Sequence, residues 1–338
     1  MHVLRRTITP WTWALSVLLT LAACSSPQGD GGPPPRGGPP AGTPPGTLVA
    51  VGTGYVHTFV LSSGTQWSER LSYSAPWSTE TVHQPGNELL IANTSGSNPV
   101  IVAVYDLATF GLKHSFEWPD STSMTSLYAL GASHDGAHLA ITMSALGDPF
   151  LEVIEVATGD IVFTGFSDAV VSNLVWDADD KLYVALDLGF EGDTARWGAI
   201  VAFPLANLAA ATGGSVQGFE VAAFTRAEWD DGVSGLALSA DGSQLLFERA
   251  GDLWVIDIGP GAEPHQLTTG PTSNHGGVFS PTGSHIAFAT GGGLGLDETY
   301  IIPNHRQAPL FIDHGQGAGD QYLLEAETLV DYMAAWLP

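Results

Sequence analysis

One cysteine, Cys24, occurs in 338 residues, so the chain forms no internal disulfide and must draw its stability from buried apolar surface. Cations are nearly as scarce: 10 Lys and Arg stand against 35 Asp and Glu, a formal net charge of −25. Such a surface repels phosphate backbones and anionic headgroups, which excludes nucleic acid as a partner. The acidity itself reads as a solubility device, and attraction of divalent cations or basic partners is the sharper alternative. The apolar stretch Trp11–Ala23 has 13 residues, too few for the about 20 that a membrane-crossing helix needs. Catalytic strings are missing as well: there is no Gly-x-Ser-x-Gly elbow, phosphate loop, His-Glu-x-x-His helix or Cys-x-x-Cys pair. Gly291-Gly-Gly-Leu-Gly295 lacks a following helix and reads as a loose turn. These absences argue for a binding or scaffolding protein rather than an enzyme, with no cofactor.

What is present at the N-terminus follows secretory logic. Arg5 and Arg6 precede the apolar stretch, and small residues close it. The string Leu21-Ala22-Ala23-Cys24 resembles the lipobox of bacterial lipoproteins. That resemblance implies a signal peptide over 1–23, cleavage before Cys24 and a diacylglyceryl group on its thiol. It also implies a cell-envelope address, with the chain lipid-anchored to a membrane on its periplasmic or cell-surface side. Each buried acyl CH₂ contributes about 0.8 kcal/mol, so two or three chains hold a protein firmly. Removing residues 1–23 takes away two arginines and no acid, which leaves a net charge of −27.

Residues 24–46 read as a linker. Positions 27–46 hold 8 Pro and 7 Gly, a composition that cannot bury a core. As a flexible coil this stretch spans roughly 25 Å, and fully extended about 60 Å.

From Thr47 onward one device recurs five times: an apolar run, a turn built on Ser, Pro or Asp and closed by Gly or Asp, then a second apolar run. The turns are Val82-His-Gln-Pro-Gly86, Ala132-Ser-His-Asp-Gly136, Trp176-Asp-Ala-Asp-Asp180, Leu238-Ser-Ala-Asp-Gly242 and Phe279-Ser-Pro-Thr-Gly283. The runs that follow are Leu89-Leu-Ile-Ala, Leu139-Ala-Ile-Thr, Leu182-Tyr-Val-Ala, Leu245-Leu-Phe and Ile286-Ala-Phe-Ala. A hairpin recurring at a regular period marks a repeat architecture. The mean spacing of the last turn residues is close to 49, so residues 47–338 hold about six units, each long enough for four strands. The expectation is an all-β chain, a six-bladed β-propeller of four-stranded antiparallel blades over 47–338.

The unit Gly235–Thr269 shows the pattern in full: Leu236-Ala-Leu, the turn at Asp241-Gly242, Leu245-Leu-Phe, then Leu253-Trp-Val-Ile-Asp-Ile and His265-Gln-Leu-Thr. Phe279-Ser-Pro-Thr-Gly283 with Ile286-Ala-Phe288 and the closing pair Leu267-Thr268 resemble the TolB-type, WD40-like repeat. The resemblance covers most of 47–313, strongly in the last two copies. It implies the propeller module; the lipobox, the linker, the repeats and the missing catalytic strings together make an envelope protein or peptide the expected partner, with the oligomeric state open.

Two segments depart from the repeat. Leu48–Leu61 reads as the second and third strands of a blade with no first strand. The C-terminal stretch after Gly319 is the candidate to supply it, as a ring closed by the two chain ends leaves no edge exposed. Yet Leu323, Leu324, Leu329, Val330, Met333 and Trp336 fit an amphipathic helix, and the pattern alone predicts that helix. Between Asp187 and Trp229 lies an enlargement in which Leu205–Gly214 predicts a short helix.

In a propeller the innermost strands converge on a channel and the loops before them line one mouth. That places Asp168, Ser172 and Asn173 near Asp230, Asp231 and Ser234, near Asn274 and His275, and near Ser78 and Thr79 of the first unit. Carboxylate, amide and imidazole groups on converging loops suit a polar ligand. The alternative function is a cation-dependent hydrolase or lyase with Ca²⁺ on the axis, held by Asp230, Asp231, Asn274 and His275. Asp177, Asp179 and Asp180 suggest a Ca²⁺ loop, but they fall at the repeated turn, where Asp serves the backbone.

Overall fold

A computed structural model describes residues 43–52, 55–61, 65–70, 77–83, 86–94, 99–109, 111–119, 124–145, 148–166, 170–187, 198–211, 218–224, 232–291, 298–312, 322–324 and 332–338. All of them belong to one compact unit, 37–338.

Apolar runs separated by four- or five-residue turns give short strands that pair antiparallel with their chain neighbours. Blade 1 takes β1 (Thr47–Gly52), β2 (Tyr55–Val60) and β3 (Thr65–Arg70). Blade 2 is β4 (Trp77–His83), β5 (Glu88–Thr94), β6 (Ile101–Asp106) and β7 (Leu112–Glu117). Blade 3 is β8 (Met124–Ala132), β9 (His138–Ala145), β10 (Asp148–Glu155) and β11 (Ile161–Phe166). Blade 4 is β12 (Val170–Trp176), β13 (Lys181–Asp187), β14 (Gly198–Pro204) and β15 (Phe219–Phe224), with the six-residue helix α1 (Leu205–Ala210) before its last strand. Blade 5 is β16 (Val233–Leu238), β17 (Gln244–Arg249), β18 (Asp252–Asp257) and β19 (His265–Gln266), followed along the chain by the short β20 (Thr268–Thr269). Blade 6 is β21 (Ser273–Phe279), β22 (His285–Gly291), β23 (Glu298–Pro303) and β25 (Tyr322–Leu324), with the short β24 (Leu310–Phe311) between the last two.

The sequence predicts a C-terminal helix, and the structure shows strands there instead. β26 (Tyr332–Leu337) is the missing innermost strand of blade 1, pairing with β1 from Thr47↔Leu337 to Val51↔Tyr332. β25 takes Leu323 and Leu324 into blade 6. Leu329 and Val330 lie outside the described residues. Innermost strands then touch in succession, β4 to β8, β12, β16, β21, β26 and back to β4, so the ring is closed.

Strands facing packed neighbours on both sides read as unbroken apolar runs, not alternations. In β17, Leu245 and Phe247 pack toward blade 4 with Tyr183 and Ile200, while Leu246 packs toward blade 6 with Phe288 and Tyr300. The apolar core is accordingly divided into six clusters, one at each seam between adjacent blades.

The repeated turns are built alike. Ser133, Ser239 and Ser280 open three of them, each hydroxyl accepting the N–H of the first residue of the next strand at 2.9, 2.9 and 3.0 Å. Each serine carbonyl accepts the N–H of Gly136, Gly242 or Gly283, whose φ values of 70°, 68° and 69° fall in the left-handed region. The two shorter turns place Asn87 (φ 50°) and Asp180 (φ 59°) there, residues whose short polar side chains tolerate that conformation. Asp177 replaces the serine, its carboxylate accepting the N–H groups of Asp179 and Lys181 at 2.8 and 2.9 Å and the Tyr183 hydroxyl at 3.2 Å. Burial first, then the Asp177 charge, pushes the Tyr183 phenol well up.

Candidate inner-strand site

Five of the six innermost strands carry a bulge. Register shifts interrupt β8, β12, β16, β21 and β26, while β4 pairs without a break. In β12, β16 and β21, backbone groups at or beside the bulge leave the ladder and face the preceding blade, where they need partners. In β16 and β21 the bulges contain Gly235 (φ 61°) and Gly276 (φ 60°).

Polar side chains from the preceding blade supply those partners. Thr142 of β9 donates to the Val171 carbonyl at 3.2 Å. Ser172, the extra residue of the β12 bulge, donates to the Val233 carbonyl at 2.5 Å, and Asn173 Oδ1 accepts the Leu236 N–H at 3.1 Å. One seam further on, Glu248 of β17 accepts the Gly276 N–H through Oε1 at 2.5 Å and the Ser234 hydroxyl through Oε2 at 3.0 Å. Burial raises the Glu248 carboxyl above its ordinary 4.5, opposed by the Gly276 N–H, the charge of His275 and the Ser234 hydroxyl.

Asn274 is 1% exposed. Its Nδ2 faces Asp252 Oδ1 at 3.2 Å and the carbonyls of Gly251 and Thr272, each at 3.4 Å. Burial raises the Asp252 carboxyl, against hydrogen bonds from Thr268, Asn274 and Gln266. His275 keeps partial exposure, with Nδ1 3.3 Å from the Ser273 carbonyl.

Of the residues singled out in the sequence, the structure brings Ser172, Asn173 and Ser234 together around the seam of blades 4 and 5. Asn274 and His275 stand at the next seam, with Glu248. Asp168, Asp230, Asp231 and Cys24 lie outside the described residues. Among the described residues, no group of three or more His, Cys, Asp or Glu is placed to hold a metal ion.

Glu248 is the residue that sequence reasoning missed, and a signal for it exists. It is the fourth residue of its strand run, where the other copies have Ala92, Thr142, Ala185 and Ala289. Its apolar counterparts pack on the next blade's seam. A carboxylate in place of a methyl at a packed position marks a site where the backbone opposite needs an acceptor.

No family profile and no curated protein matches this sequence. Solved structures do resemble it. TolB from Acinetobacter baumannii superposes with a TM-score of 0.55 at 14% identity, over 86% of this chain and 66% of that one. The chain thus spans about two thirds of the TolB structure's length. A chain from a nidogen/laminin complex gives a TM-score of 0.54 at 13% identity, over 76% of this chain and 89% of that one. With six four-stranded antiparallel blades arranged in a closed ring, the chain has a TolB-like β-propeller fold.

Proposed function

We propose that this chain is a cell-envelope lipoprotein, anchored to a membrane through Cys24, whose propeller is a binding module for an envelope protein or peptide. The lipobox string and the Pro/Gly-rich linker support the anchor. The observation that carries the binding role is the use of the inner-strand polar groups: Ser172, Asn173 and Glu248 each bond to the following blade. Spent in this way, they stiffen the ring as a frame for contacts made by its loops, the usual division between scaffold and recognition surface. The nidogen/laminin likeness is to a chain taken from a protein–protein complex.

Two measurements test the reading. Cells labelled with radioactive palmitate incorporate it into the wild-type chain and not into Cys24→Ser, which stays soluble after lysis. Cross-linking in intact cells recovers a discrete partner with the wild type, and Asp230→Lys/Asp231→Lys abolishes it without shifting the melting temperature. Recovery of the same partner with the double variant removes the channel mouth from the reading.

A further inference from the structure

Asn274 and Thr290 stand directly opposite each other across β21 and β22. Opposed residues of an antiparallel pair share one face of the sheet, with Cβ atoms about 4.5–5.5 Å apart. Which face this is follows from both sides of the pair. Asn274 Nδ2 reaches Asp252 of blade 5 at 3.2 Å, and Phe288, two residues before Thr290, packs in the apolar cluster that holds Leu246 and Leu253 of blade 5. Both side chains therefore point into the seam of blades 5 and 6, where they are 1% and 0% exposed.

Two polar atoms of this pair have no partner among the described residues: Asn274 Oδ1 and Thr290 Oγ1. Turning the amide over does not mend the first. Its Nδ2 lies among Asp252 Oδ1 and the carbonyls of Gly251 and Thr272, at 3.2, 3.4 and 3.4 Å, so a flipped amide would set Oδ1 against three acceptors. Nor do the two atoms bond to each other. A buried polar group without a hydrogen bond is costly, and two of them on paired residues call for a shared partner. One oxygen lying about 2.8 Å from each bridges up to about 5.6 Å, which matches the reach of a directly opposed pair.

We propose that the seam of blades 5 and 6 contains a binding site for one water molecule, held by Asn274 Oδ1 and Thr290 Oγ1. The water donates one hydrogen bond to the amide oxygen and exchanges a second with the hydroxyl. The donor set decides for water over a cation: a buried water is held by about two to four polar partners, whereas Ca²⁺ takes about six to eight oxygens. The nearest carboxylates are already engaged. Glu298, opposite Thr290 in β23, accepts the Tyr300 hydroxyl at 2.7 Å, and Asp252 accepts from Thr268, Asn274 and Gln266. Asn274, which the sequence places at the channel mouth, thus works inside the seam, with its nitrogen on blade 5 and its oxygen, through the water, on β22.

Thr299 supplies the comparison. It is equally buried and its Oγ1 also has no partner among the described residues, but the residues opposite it are Ala289 and Leu324, whose side chains offer a water nothing. Replacing a hydroxyl that bonds to a water removes a favourable contact, while replacing one that bonds to nothing removes a cost. In urea titrations of the full chain, Thr290→Val is expected to raise the unfolding constant about two- to tenfold, and Thr299→Val to leave it unchanged or lower it. A crystal structure of the full chain is expected to show one density peak within hydrogen-bond distance of both Asn274 Oδ1 and Thr290 Oγ1, and no such peak in Thr290→Val. A wild-type structure without that peak overturns the proposal. So does a Thr290→Val protein as stable as Thr299→Val or more so, which marks a dry hydroxyl. A wild-type melting temperature that rises with Ca²⁺ and falls with EDTA, with no response in Thr290→Val, assigns the site to a cation and overturns it as well.

Discussion

Glu248 Oε1 accepts the Gly276 N–H across the seam between blades 5 and 6. One seam earlier, Asn173 Oδ1 accepts the Leu236 N–H in the same way. Two different side chains, an amide on an innermost strand and a carboxylate on the second strand, solve one problem: a bulge amide that its own ladder cannot satisfy. The carboxylate solution differs in being sensitive to pH.

The folded chain holds the Glu248 proton more tightly than the unfolded one, because burial raises the carboxyl above 4.5. Stability from this group is therefore complete below pH 4.5 and declines as pH rises through the raised value. Glu248→Gln keeps an oxygen toward Gly276 and removes the charge, so its melting temperature at pH 8 equals or exceeds that of the wild type, and the difference vanishes at pH 4. Glu248→Ala leaves the Gly276 N–H without an acceptor and costs about 1–3 kcal/mol at pH 7. Urea titrations of the three proteins across pH check both statements.

Gly235 and Gly242 provide a matched pair. Both are left-handed, at φ 61° and 68°, but a Cβ on Gly235 would lie 2.0 Å from Glu248 Oε1, whereas one on Gly242 meets nothing within 4 Å. Both alanine substitutions carry a left-handed cost of about 1–2 kcal/mol. Gly235→Ala adds the displacement of a carboxylate fixed by two hydrogen bonds, and is expected to exceed Gly242→Ala by about 1 kcal/mol or more. In a Glu248→Ala background the gap closes. Chemical denaturation of the four variants gives the coupling directly.

The propeller was legible because its turns need particular chemistry. Ser133, Ser239 and Ser280 with their glycines can be read along the chain, since each turn satisfies itself within five residues. The closing strand is legible only as one of two readings of the C-terminal stretch, for the opposite reason. Met333 and Trp336 have a helical spacing, and what makes them a strand is β1, at the other end of the chain. The bulges left only Gly235 and Gly276 as traces. The pairing of β24 with β20 left none, because nothing near Leu310 in sequence announces Thr268. At the inner-strand site, Ser172 and Asn173 were legible as polar groups near the axis, but their acceptors and donors are backbone groups of the next blade, which a sequence does not display.

The turn opened by Ser280 lacks the carboxylate that the other two serine-opened turns carry at their third position. Asp135 and Asp241 each accept a backbone N–H and the opening serine hydroxyl through Oδ1, at 2.9 and 2.7 Å and at 3.0 and 2.7 Å. These bonds lead the causes that hold both carboxyls below the usual value. Thr282 stands in that position in blade 6, its hydroxyl 3.4 Å from that of Ser280. Thr282→Asp is expected to raise stability by about 0.5–1 kcal/mol at pH 7. The gain is present above the ordinary carboxyl value of 3.8 and disappears as pH falls through the lowered one. Thermal melts at pH 7 and pH 3 distinguish this from a change in packing.

Trp336 tests whether the seam made by the chain ends holds the ring. It is 1% exposed and packs with Leu48 and Phe59 of blade 1 and with Val278, Ala289 and Ile301 of blade 6. Trp336→Ala empties the place where two blades and both ends of the propeller meet, and a buried Trp→Ala cavity costs about 3–5 kcal/mol. Leu112, on the outer strand of blade 2, is 57% exposed, and Leu112→Ala is expected to stay within about 0.5 kcal/mol. A closed ring makes the first loss cooperative: denaturation followed by fluorescence and by circular dichroism should give one shared midpoint, shifted downward. Separate midpoints, or equal shifts for the two variants, would mean that the other five seams stand without the sixth.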